Sequence, residues 1–190
     1  MLITFFKNIP DKRRKQGQMY DLSHLLLFSV LAILSGATSY RKVETFIKLR
    51  FKILKKYFKL KWKNAPEYST IRRAIHDLEG KNLEKVFREY SKALTATEDE
   101  KDEKKKKNIQ CISLDGKAVR GSFDNFEDQN AIQVLSAFLL NKDIILAHEE
   151  IEKKKTNEIP VAQKLIGELG LKNCVFVFDA LHCQKKHWKK

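Results

Sequence analysis

The apolar positions of this chain change period part-way along. From Leu25 to Leu34 they form one nearly unbroken run, Leu25-Leu26-Leu27-Phe28-Ser29-Val30-Leu31-Ala32-Ile33-Leu34. Asp21 or Ser23 can start a helix there and Gly36 can stop it, which reads as a helix buried on most sides. Ser39 can cap a second helix carrying Val43, Phe46 and Ile47 on one face. Residues 57–68 show little periodicity and contain Pro66. Ser69 then opens a short helix with Ile71, Ala74, Ile75 and Leu78 inward and Arg72, Arg73 and His76 outward. Gly80 breaks it, and a further helix follows with Leu83, Val86, Phe87, Tyr90 and Leu94 at helical spacing.

Residues 95–108 carry almost nothing that could enter a core and predict a charged linker. Beyond it the period shortens. Ile109–Asp115, Ala131–Leu140 and Ile144–His148 read as strands, with Asn141-Lys142-Asp143 as a hairpin turn between the last two. Thr156 to Gly170 reads as a helix with Ile159, Ala162, Leu165, Ile166 and Leu169 inward. Val175–Phe178 is a short, wholly apolar strand. The predicted order in the second half is β-β-β-α-β.

Charge divides the chain at the same place. The net charge is +14 over 190 residues. Residues 1–94 hold 21 Lys/Arg against 8 Asp/Glu, whereas residues 109–190 hold 12 against 11. The first half is drawn to a polyanion and the second need not be. Short helices with the Arg72–Arg73 pair near a helix start are compatible with a helix-turn-helix reader of duplex DNA, although any small helical domain looks similar. Cys111, Cys174 and Cys183 are odd in number, which argues against a disulfide framework and suits a reducing cytoplasm. Lys12-Arg13-Arg14-Lys15 followed by the apolar run imitates a secretory signal. The run starts late and is too short to span a bilayer, so a buried helix is the better reading.

Two of the apolar strands end in aspartate, at Asp115 and at Asp179. A carboxylate directly after an apolar strand is costly to bury unless it is paired or bound to metal. Two such oxygen donors suit Mg²⁺ or Mn²⁺ in phosphoryl transfer. The alternative is that each merely starts a turn, as Asp-Gly and Asp-Ala favour. Lys117 and Arg120 lie where they could touch a phosphate backbone, or could be solvated loop charges. Gly116-Lys-Ala-Val-Arg-Gly121-Ser122 lacks the lysine a phosphate loop needs before its final hydroxyl residue. His182, Cys183 and His187 have no second Cys/His pair to complete a zinc site. Glu158, at the start of its helix, is explained well enough by the helix dipole.

Several segments carry a resemblance. They are Phe6-Lys-Asn-Ile-Pro-Asp-Lys-Arg13, Leu34-Ser-Gly-Ala-Thr-Ser-Tyr-Arg41, Ser69-Thr-Ile-Arg-Arg73, Leu114-Asp-Gly-Lys-Ala-Val-Arg-Gly-Ser122, Val134-Leu-Ser-Ala-Phe138, Lys155-Thr-Asn-Glu-Ile-Pro160 and Asp179-Ala-Leu-His-Cys-Gln184. Through them the chain resembles the H-repeat-associated DDE transposases of bacterial insertion sequences. The resemblance implies an α+β protein. A helical DNA-binding region (1–94) and a linker (95–108) would precede a partial RNase H-like catalytic domain (109–190) that lacks the family's fifth strand and last helix. It implies Asp115 and Asp179 as catalytic acids and metal ligands. A two-metal Mg²⁺ or Mn²⁺ site is expected only in the full-length family, whose third acid, a glutamate, finds no counterpart here. The implied reaction is cleavage at the element's ends followed by joining of the freed 3′-hydroxyl to target DNA. The copy is therefore expected to be truncated and inactive alone, with a stand-alone DNA-binding regulator as the rival reading. The implied partner is double-stranded DNA at the element ends and target, contacted by Arg72, Arg73, Lys117 and Arg120. Self-association is left open, no membrane is involved, and the expected location is the cytoplasm at the nucleoid.

Overall fold

The structure is a computed structural model that describes residues 2–99, 109–119, 132–151 and 158–179. It is an α+β chain that separates into two compact units, Met1–Phe87 and Arg88–Lys190. Among the described residues no helix is long and apolar enough to cross a membrane.

The first unit is helical: α1 (Leu2–Phe6), a 3₁₀ turn (Lys15–Gln18), α2 (Leu22–Leu34), α3 (Tyr40–Tyr57), α4 (Tyr68–His76) and the start of α5 (Gly80–Asp99). The apolar run expected to be a buried helix is α2, whose Leu25, Phe28 and Ala32 are wholly inaccessible. Buried Ser29 returns its hydroxyl to the Leu25 carbonyl at 2.7 Å, so that hydroxyl is satisfied within the helix. Gly36 (φ +91°) ends α2 in a conformation that a side chain would resist. The amide of Ala37 then donates to the Ala32 carbonyl. Ser39 caps α3 as anticipated, its hydroxyl accepting from the Lys42 amide at 3.3 Å.

Two sequence expectations are corrected in this unit, and one stretch without a clear pattern proves to be part of the core. Helix α4 begins at Tyr68 rather than Ser69, with Glu67 in the capping position. Leu83, placed inward by its spacing, is 39% exposed, because only one turn of that face, at Val86, reaches the core. The aperiodic stretch after α3 is no passive connector: Leu60, Trp62 and Pro66 are buried. Trp62 meets Tyr20 edge-on at 5.0 Å and Phe28 at 5.7 Å, while Phe58 meets Phe28 at 5.3 Å.

The second unit holds the rest of α5 with β1 (Gln110–Ala118), β2 (Gln133–Leu139), β3 (Ile144–Ile151), α6 (Glu158–Leu169) and β4 (Cys174–Val177). The sheet order is β3-β2-β1-β4, antiparallel except for β1 beside β4. Helix α6 buries Val161, Ala162 and Leu165 in one core with Ile112, Leu114, Leu135, Ala137 and Leu139 of the sheet. The hairpin turn predicted at 141–143 is present, with Asp143 in the left-handed region (φ 53°) and the Asn141 side chain accepting from the Cys111 amide. Helix α5 runs on through Thr95 to Asp99, where a linker was expected to begin. The Thr95 hydroxyl reaches the Lys92 carbonyl, and Ser91 donates to the Ile145 carbonyl of β3 at 2.8 Å. The remainder of the expected linker, 100–108, lies outside the described residues.

One buried titratable group in the helical unit gives a pH signature. His24 packs against Phe28, Phe58 and Trp62, and its side chain is 15% exposed. Burial holds its pKa below the usual imidazole range, against the opposing pull of Asp21 at 3.4 Å. The unfolded chain then takes up a proton that the folded chain resists. Stability is complete above the imidazole's ordinary pKa of about 6.5 and declines as pH falls below it. Thermal unfolding at neutral pH and near pH 5 is expected to show this loss, and His24→Leu to flatten it. An equal decline in both proteins would remove His24 as the cause.

Candidate active site

Strand β1 alternates cleanly. Ile112 and Leu114 face α6, so Cys111, Ser113, Asp115 and Lys117 face the other way. Asp115 was expected to end its strand, and here the expectation is corrected. The ladder with β2 continues past it to Ala118↔Gln133, with Asp115 opposite Ser136. This also removes the alternative in which Asp115 starts a turn. What ends at this level is the neighbour on the other side, since the parallel ladder with β4 stops at Ser113↔Val177.

Asp115 and Asp179 therefore stand the same two positions beyond the last β1–β4 pair. They also share a phase. Cys174, Phe176 and Phe178 pack on the α6 side, which leaves Val175, Val177 and Asp179 on the side of Asp115. Strand pairing thus brings the two acids proposed from sequence to one face of the sheet. Asp115 is 59% exposed, and Lys117, two residues on and on the same face, places its Nζ 3.1 Å from Asp115 Oδ2. Among the described residues no cluster of three His, Cys, Asp or Glu could hold a metal ion. Two acidic oxygen donors are the right chemistry for Mg²⁺ or Mn²⁺ but make an open and incomplete site.

A third acid lies close by on the opposite face. A side chain at Gly116 would meet Glu158 Oε1 at 2.8 Å and its Cδ at 3.0 Å. The carboxylate of the first residue of α6 therefore lies against the β1 backbone next to Asp115. Assigning Glu158 to the helix dipole missed this contact. The available signal was the glycine directly after the strand aspartate, a residue that permits close approach.

The other expected residues are scattered. Arg72 and Arg73 are exposed on α4, whose Ile71 and Ala74 are buried, and Arg73 Nε donates to the Ser69 carbonyl at 3.2 Å. Arg120 and the excluded zinc set His182, Cys183 and His187 lie outside the described residues. Gly116 to Ala118 are extended strand, consistent with setting aside a phosphate loop.

Comparison with known proteins decides the lineage. A family model described as DDE_Tnp_1-associated matches residues 3–91. "Putative transposase YncI" of Escherichia coli strain K12 is 30% identical over 184 residues, covering 97% of this chain and 70% of that protein. The chain belongs to the H repeat-associated transposase family. The O157:H7 protein of the same name is 31% identical, and "H repeat-associated putative transposase YhhI" of strain K12 is 27% identical, each over 97% of this chain. The chain spans 44% and 46% of the lengths of these two relatives. No solved structure gives a significant match. The family segment 3–91 takes in the helical unit and stops within α5, whereas the relatives also align through the sheet that carries Asp115 and Asp179.

The seat of Glu158 over Gly116 is open to a direct check. Alanine at Gly116 meets only the swinging end of a carboxylate and is expected to cost less than about 1 kcal/mol. Gly116→Val reaches further and is expected to cost about 1–3 kcal/mol in urea unfolding, most of it recovered by adding Glu158→Ala. Strictly additive losses would place the carboxylate elsewhere.

Proposed function

We propose that this protein acts in DNA transposition, with the helical unit engaging duplex DNA and the sheet unit supplying two acids of a divalent-metal phosphoryl-transfer site. The observation that carries the catalytic part is the pairing of β1 with β4, which sets Asp115 and Asp179 at equivalent positions on one face. An RNase H-like reading of the second unit is supported by its β-β-β-α-β order, with Asp115 in the first strand and Asp179 two residues beyond the end of the fourth. The DNA-binding part is supported by the excess of 21 cationic over 8 acidic side chains in residues 1–94 and by the family of the chain.

In this reading Asp115 and Asp179 would hold the cation, which would supply Lewis-acid activation of a phosphodiester and of its attacking water or hydroxyl. Lys117 plays two parts. Beside Asp115 it offsets carboxylate charge, and its ammonium would also be a donor for a phosphate oxygen on the same face. Arg72 and Arg73 contact the DNA backbone from α4. The rival reading is a DNA-binding regulator that does not cut, supported by the cationic excess of residues 1–94. The two readings share DNA binding by the helical unit and differ in whether the chain cuts.

Loss of the free Mn²⁺ electron-spin resonance signal on titration measures the cation site. Wild type is expected to bind weakly, and Asp115→Asn or Asp179→Asn each to weaken binding roughly tenfold. Unchanged binding in either variant would break the paired-acid reading. With Mn²⁺ and supercoiled plasmid, wild type is expected to nick no faster than an Asp115→Ala control. Asp115-dependent nicking would show that the two acids suffice and remove the non-cutting reading.

A further inference from the structure

The helical unit contains a cavity of about 590 Å³ between the segment that precedes α2 and the outward face of α4. Its wall includes Lys12, Arg13, Arg14, Thr70, Arg73 and Asp77. That volume lies within the range of ligand-sized cavities. Four cations meet there, yet they are not equivalent. Lys12 is ion-paired with Glu79. Arg13 is locked in place: Nε and Nη2 donate to the two Asp11 carboxylate oxygens at 2.8 and 2.7 Å, and Nη2 also donates to the Tyr20 carbonyl at 2.7 Å. The Arg13 guanidinium in turn holds the Asp11 carboxyl below the usual carboxylate range.

Arg14 and Arg73 have no carboxylate partner among the described residues, and Arg73 reaches only the Ser69 carbonyl. The side chain of Arg13 is 92% buried, being 8% exposed, and its Nη1 is buried without an acceptor. A buried guanidinium nitrogen with nothing to donate to is costly, and negative charge seated in the adjoining cavity would offset its unrelieved positive charge. The acids near the cavity are Asp11 and Glu79, each committed to a cation, and Asp77, whose Oδ1 lies 3.5 Å from His76 Nδ1.

We propose that this cavity seats a phosphate of the nucleic-acid backbone, with Arg14 and Arg73 as its charged donors, Thr70 as a neutral one and Arg13 as a fixed floor. The proposal rests on the DNA-binding reading above and gives it a location. Arginine forks match the paired oxygens of a phosphodiester, and contacts to the backbone position DNA without reading its sequence. It joins Arg73 of α4 to the cluster at residues 12–14, which sequence pattern alone had cast as an imitation of a secretory signal.

The test uses the full chain, a labelled duplex of about 20 base pairs, and the double variant Arg14→Ala with Arg73→Ala, both at exposed positions. A control removes equal charge from α3 by Lys52→Ala with Lys56→Ala. The cavity variant is expected to lose about 10- to 30-fold in affinity near 0.15 M salt, with the slope of log affinity on log salt shallower by about 2. Inorganic phosphate, compared with chloride at fixed ionic strength, is expected to raise the unfolding temperature of wild type and control but not of the cavity variant. If wild type binds DNA and the cavity variant matches it, the cavity proposal is overturned while the DNA-binding reading stands. If phosphate protects wild type through these arginines but no duplex binds, the cavity is a free-anion site. The DNA-binding reading and the backbone assignment then fall together.

Discussion

The parallel contact between β1 and β4 is the constraint on which the second unit depends. An antiparallel pair can be closed by a short turn, as β2 and β3 are, whereas a parallel pair needs a crossover. Helix α6 lies between β3 and β4 in the chain and fills that need. Its Val161, Ala162 and Leu165 bury the sheet face formed by Ile112, Leu114, Leu135, Ala137 and Leu139. Once that face is fixed, strand alternation leaves no choice for the other residues of β1 and β4. Ser113, Asp115 and Lys117 turn to the far side, with Val175 and Val177, and exposed Asp179 follows in the same phase just past β4. The two acids are therefore brought together by the burial of residues with no chemistry of their own.

The same face shows what this arrangement leaves exposed. Val175 and Val177 are 47% and 43% exposed, an apolar surface beside the two acids. At the other side of the unit, polar groups hold α5 to β3. Arg88 donates to Glu168 at 2.7 Å, to Glu149 at 3.1 Å and to the His148 carbonyl at 2.9 Å. Hydrogen bonding to Arg88 keeps the Glu168 carboxyl below the usual range, and Lys164 is raised chiefly by its bond to Glu149. Two cations and two carboxylates thus neutralise one another within the unit that carries little net charge. In the helical unit the cations far outnumber the acids, and that imbalance is what an anionic partner would meet.

The elements were legible where local signals were strong. The apolar run of α2, its stop at Gly36, the Ser39 cap of α3 and the turn at 141–143 all follow from side-chain size, hydroxyl chemistry or backbone freedom over a few residues. Expectations failed where a distant partner decided the outcome. Asp115-Gly116 resembles a turn until β2 is known to pair past it. Trp62 sits in a stretch without periodicity because the rings of Tyr20 and Phe28 are what hold it. Thr95 to Asp99 resemble linker until the preceding turns of α5 are anchored by Ser91 and Arg88.

By itself, the sequence determined the α+β composition, the change of period between the halves, the charge imbalance, and the identity of the two aspartates after apolar runs and of the family motifs. Each depends on residues close together in the chain, where spacing and side-chain chemistry act directly. Only the tertiary structure decided that Asp115 and Asp179 share a face, that Glu158 lies against Gly116, and that Arg13 and Arg14 meet Arg73 around one cavity. Those relations join segments far apart in the chain. They are set by strand register and by which apolar faces bury one another, and no local pattern records that outcome.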